Sequence, residues 1–190
     1  MKRKKMVVAI TLYLTIMVAG TPVSAMMVSG VTFATQKQLQ DQALQLRGAG
    51  VLRYMVFIKA YAGALYLPEG VPSEMALSDV TKVLEVEYFH ALKGKDFGPA
   101  TIDGVAKNVS KETMAALQDQ IAYHNSLYVD IEPGDRYSLS YTPGQGTVLA
   151  LNGKPLGTIE GADFAAALFS IWLGPNPADA DFKAALLGQS

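Results

Sequence analysis

No cysteine occurs among the 190 residues, which excludes disulfides, thiolate nucleophiles and cysteine metal sites. Histidine is nearly as scarce. His90 and His124 are the only two, and they fall in different predicted elements. Neither a histidine metal site nor a Ser-His-Asp triad is supported, and the G-x-S-x-G motif is missing. No cofactor or metal is expected. Charge of one sign is also lacking: 16 Lys and Arg stand against 17 Asp and Glu, a net charge of −1. Four of the cations, Lys2, Arg3, Lys4 and Lys5, belong to the extreme N-terminus. Without them the chain is mildly acidic, which argues against nucleic acid or anionic lipid headgroups as general partners.

What is there begins with that basic cluster. It precedes an apolar run from Met6 to Ala19, then Pro22 and the small-residue stretch Val23, Ser24, Ala25. This order of regions is that of a secretory signal peptide. The run falls short of the roughly 20 residues a membrane helix needs, and no later stretch approaches that length. The expectation is therefore a leader over residues 1–25 and one domain over 26–190, periplasmic or secreted, with no membrane span after cleavage.

Within the domain, Val28 to Leu67 is rich in strand-forming residues, which predicts two or three antiparallel strands. Ser73 to Val80 has room for two helical turns. Thr81 to Ala91 alternates, with Leu84, Val86, Tyr88 and His90 on an apolar face and Glu85 and Glu87 opposite, so parity turns His90 inward. Residues 96–125 read as helical, most strongly after Ser110 as an N-cap. A meander follows, in which Tyr137, Leu139 and Tyr141 lead to a Pro143-Gly144 turn. Thr147–Leu151 then runs back to an Asn152-Gly153 turn and Leu156–Ile159. The helix Asp163–Leu173 is apolar nearly all round, so Trp172 is expected in the core. A short last helix is expected to start at Asn176-Pro177 and close at Gly188. The class is α+β, with helices against an antiparallel sheet.

One stretch raises a question of chemistry. Read as a single strand, Leu52 to Leu67 is apolar on both alternating faces, yet one face also carries Arg53 and Lys59. A truly buried guanidinium without a partner would cost about 3–5 kcal/mol. Arg53 is therefore expected to meet an internal acid, carbonyls, water or a ligand. Lys59 and Tyr61 on the face of Arg53, and Tyr88 and His90 on the apolar face of the later strand, are candidates for either a binding site or ordinary packing. Gly48 and Gly50 read as backbone accommodation in a turn or bulge.

Gly48-Ala49-Gly50 followed by Arg53, and then Ile58-Lys59-Ala60-Tyr61-Ala62-Gly63-Ala64-Leu65-Tyr66-Leu67, resembles the glycine turn, arginine and lysine-bearing strand of the chalcone isomerase family. The segment Phe164-x-x-x-Leu168-Phe169-Ser170-Ile171-Trp172-Leu173-Gly174 with Pro177-Ala178-Asp179 is similar to that of secreted bacterial chalcone-isomerase-like proteins. The resemblance implies an open-faced β-sandwich, a large antiparallel sheet backed by a layer of helices, with a ligand cleft between them. It implies a site at Arg53 and Asn108. Tyr61 stands where the enzymes have a threonine, and Thr101 where they have a tyrosine. The same fold serves plant proteins that bind fatty acids, so an apolar small molecule, with a fatty acid carboxylate held by Arg53, is the first functional expectation. The alternatives are an isomerase closing a chalcone-like enone by oxygen addition and a structural or partner-binding domain.

Overall fold

The computed structural model describes residues 24–55 and 57–189. Residues 1–23 of the expected leader, and Val56, lie outside them. The chain begins with the strands β1 (Ala25–Val28), β2 (Val31–Ala34), β3 (Gln36–Leu39), β4 (Gln42–Tyr54) and β5 (Ile58–Pro68). A single 3₁₀ turn at Ser73–Met75 leads to β6 (Lys82–Tyr88), followed by helices α1 (Gly94–Ala106), α2 (Lys111–Ala116) and α3 (Gln118–Ser126). Strands β7 (Arg136–Thr142), β8 (Gly146–Leu151) and β9 (Lys154–Ile159) precede α4 (Ala162–Leu173) and α5 (Ala180–Leu186).

Strands β3 to β9 form one seven-stranded antiparallel sheet in chain order, the open-faced sandwich expected. The sheet is covered on both faces, which explains why β5 is apolar on both. Leu65, Leu67, Leu84, Val86, Leu139 and Leu149 pack with Phe164, Leu168, Phe169, Phe182 and Leu186 of the helices. On the other side Ala62, Ala64, Tyr66 and Val83 are covered by Val31 and Phe33 of the β1–β2 hairpin. That second cover buries Glu85, which alternation placed opposite the apolar face. Its carboxylate is paired with Lys37 and, at 3.2 Å, with Arg136. Arg136 also binds Glu87 at 2.6 Å and lies 4.8 Å over the Phe33 ring.

The meander β7–β8–β9 has the turns that the sequence signals. Ser110 caps α2, accepting from the Thr113 amide at 3.1 Å. Five expectations are corrected. Residues 52–67 are not one strand but the end of β4, a tight turn and β5, pairing as Arg53 with Lys59 and Tyr54 with Ile58. Met55 takes φ +49° in that turn. No Gly, Pro, Asn or Asp marks it, so pattern reading ran through it. His90 is exposed because β6 ends at Tyr88 and the chain then leaves the sheet. Residues 73–80 form only the one 3₁₀ turn, and the helical stretch splits into three pieces. The cap of α5 is Asp179, which accepts from the Phe182 amide at 2.6 Å, rather than Asn176.

Gly48 follows a bulge in β4, and there is a second reason for it. Helix α5 lies directly on β4, and a Cβ at Gly48 would overlap the Ala185 carbonyl oxygen. One at Gly63 would come within 2.7 Å of the Phe182 ring. The glycines let the helix close down on this end of the sheet.

An aromatic cleft as candidate functional site

Helices α1 and α4 do not close fully over β5 and β6. They leave a cleft of about 390 Å³ between sheet and helix layer. Its walls are Tyr61 from β5, Tyr88 from β6, Phe97 and Thr101 from α1, Tyr128 after α3, and Ile171 and Trp172 from α4. Tyr61 faces the helices because it alternates with Ala62, whose side chain is under the hairpin. The rings brace one another. Tyr61 and Tyr88 are 5.3 Å apart, Tyr88 and Phe97 meet edge to face at 5.6 Å, and Phe97 stacks on Tyr128 at 4.5 Å. Such contacts hold the walls in place without filling the space between them.

The polar atoms are few. Trp172 Nε1 donates to the Tyr61 hydroxyl at 2.8 Å, which fixes both side chains. Burial pushes the Tyr61 hydroxyl well above its usual pKa, against the lowering effect of that bond. Tyr88 is raised by burial and then by its tyrosine neighbours, and Tyr128 by burial against a hydrogen bond from Thr101. All three hydroxyls therefore stay protonated near neutrality. They can donate to a ligand oxygen but cannot serve as bases. Charge is confined to residues Asp96, Asp103 and Lys107, with Lys107 and Asp103 paired one helical turn apart.

Of the residues singled out by sequence, Tyr61 and Tyr88 are brought together in the cleft. Arg53 and Lys59 face each other across the exposed end of the β4–β5 hairpin and are not among the cleft walls. His90 is on the exposed loop after β6. Asn108 is at the end of α1, where it donates to the carbonyls of Gly104 and Asn176 and accepts from the Asn176 amide at 2.9 Å. Its side chain ties α1 to the link between α4 and α5. Trp172, expected in the core, is half-buried and forms a cleft wall. Phe97 and Tyr128 were not identified from sequence; the one available signal was an aromatic at each end of the helical segment. Among the described residues no group of three or more metal-ligating side chains is gathered.

Residues 25–188 match the model of the chalcone isomerase-like family. The crystal structure of a fatty-acid binding protein of Arabidopsis thaliana superposes with a TM-score of 0.70 at 15% identity, over 87% of this chain and 96% of that one. No match is found among curated proteins.

Proposed function

Because the chain belongs to the chalcone isomerase-like family, we propose that its cleft between sheet and helices binds an apolar small molecule, a long-chain carboxylic acid. The observation that carries this reading is the cleft itself: about 390 Å³, walled by five aromatic rings and offering protonated hydroxyls. That size and lining fall in the range of small-molecule sites. Each buried methylene contributes about 0.8 kcal/mol, so an acyl chain needs no catalytic group to be held. The fatty-acid binding neighbour supports the same class of ligand. The head group is assigned to Arg53. The Leu52–Tyr61 pair is followed at once by the Arg53–Lys59 pair, so both cations stand one pair along the hairpin from the cleft wall Tyr61. Lys107 is the competing cation, but Asp103 already pairs with it. The protein is proposed to act outside the cytoplasm after its leader is removed.

The test is thermal. Long-chain carboxylates should raise the melting temperature of delipidated protein, since a ligand that binds only the native state stabilises it by mass action. The matching alcohols should do so less. Arg53→Ala should erase that difference, because it removes the charge-assisted bonds and leaves the apolar contacts. If Lys107→Ala erases it instead, the anchor is on α1. If neither acid nor alcohol shifts the transition, the binding proposal fails.

The density of aromatic rings favours one second reading, a planar enone that Tyr61, Tyr88 or Tyr128 would hold by its carbonyl oxygen. Adding a chalcone to the same samples and following absorbance tests it. Cyclisation well above the spontaneous rate would make the protein an isomerase.

A further inference from the structure

The β4–β5 hairpin ends in side chains that the fold does not use. Phe57 is 87% exposed, Met55 71%, Tyr54 62% and Ile58 47%. These four form the densest run of exposed apolar residues among those described, and contiguous exposed apolar surface marks an interaction site. Arg53 and Lys59 flank it, paired directly across the two strands. Like charges opposite one another destabilise a hairpin, and neither takes part in an ion pair among the described residues. Next to it the chain leaves β6 through exposed His90 and Leu92, with Phe89 bonded to Ala60. Lys93 there is already matched by Asp130. Leu92 and Asp96 also line the cleft.

We propose that this hairpin end docks the protein on an anionic lipid surface, with Tyr54, Met55, Phe57 and Ile58 entering the interface and Arg53 and Lys59 meeting headgroup phosphates. Apolar tips flanked by cations suit the boundary between headgroups and acyl chains. A second copy of the chain fits poorly, because tip against tip would bring four cations together. The overall charge of −1 does not describe this end of the molecule, which is why composition alone argued against anionic lipid. Docking in this orientation would bring the cleft mouth beside the membrane, but the proposal does not depend on what the cleft holds.

Because the chain has no cysteine, Met55→Cys provides a unique site for an environment-sensitive fluorophore at the tip. Glu69→Cys provides a control beyond the far end of β5. The full chain labelled at 55 should brighten and shift to the blue with vesicles of phosphatidylcholine and phosphatidylglycerol, and much less with phosphatidylcholine alone. The label at 69 should not respond, which separates tip insertion from any binding through the N-terminal apolar run. Arg53→Gln with Lys59→Gln should raise the lipid needed for half-saturation by about thirtyfold, about fivefold per cation. Phe57→Ser should abolish the tip signal with the melting temperature unchanged. A silent label at 55, or equal responses at 55 and 69, would overturn the proposal. A signal at 55 that rises with protein concentration in the absence of vesicles would assign the tip to a second copy instead.

Discussion

The two faces of the sheet solve the same packing problem differently. On the hairpin face, Ala62, Ala64, Tyr66 and Val83 are covered closely, and the charge within reach is gathered into one cluster of Lys37, Glu85, Glu87 and Arg136. On the helix face the larger core of Leu, Phe and Tyr side chains stops short at one end and leaves the cleft. That face also buries His124 completely, with Nε2 lacking any hydrogen-bond partner among the described residues. The hairpin face pairs its charges and is full, while the helix face is aromatic and incomplete. The difference shows where a ligand can be accommodated: rigid rings with unused contact surface hold a space open, and paired charges close one.

The sharpest way to separate the faces is acid. Burial lowers the His124 pKa from 6.5 to about 4, opposed by its bond to Asn125. A depressed histidine contributes stability above its unfolded pKa, and the contribution is lost as pH falls from about 6.5 toward 4. The shift corresponds to about 3 kcal/mol. His124→Gln should flatten that window in urea titrations, whatever its effect at neutral pH. An unchanged profile would mean that the helix face tolerates a charged imidazole.

On the hairpin face, Glu85→Ala should cost about 2–3 kcal/mol. It leaves Lys37 and Arg136 without their shared acid, but both retain contact with water, so the loss stays below that of a fully buried pair. Denaturant midpoints measure it. A loss under half a kcal/mol would show that the hairpin is held by Phe33 and Val31 alone.

The smallest effect is expected at the cleft wall. Tyr61→Phe removes the acceptor of the Trp172 indole and should cost about 1 kcal/mol. Trp172 is the only tryptophan, so its emission reports the change directly. A red shift is expected as the ring loosens toward the cleft, and an unaltered spectrum would mean that packing alone positions it.

How much was legible follows from which forces act locally. The β7–β9 meander was readable because period-two alternation and its turn residues sit side by side in the chain. The β4–β5 turn was not, since its residues carry no turn signature and a strand was extended through it. The inward placement of His90 failed at the same kind of point: parity holds only while the strand continues. For Arg53, the cost of an unpaired buried cation raised the right question, and exposure at the hairpin end answers how the chain carries it unpaired. Asn108 illustrates another limit, because its partner Asn176 is far away in sequence.

The sequence by itself determined the β7–β9 meander, the apolar helix α4 and the family resemblance, because these rest on alternation, helix periodicity and contiguous motifs. Tertiary structure alone decided that Tyr61, Tyr88, Phe97, Tyr128 and Trp172 share one cleft. It also decided that the hairpin end stands uncovered. A residue pattern states which face a side chain takes. Whether another part of the chain arrives to cover that face depends on packing between segments distant in sequence, which no local pattern encodes.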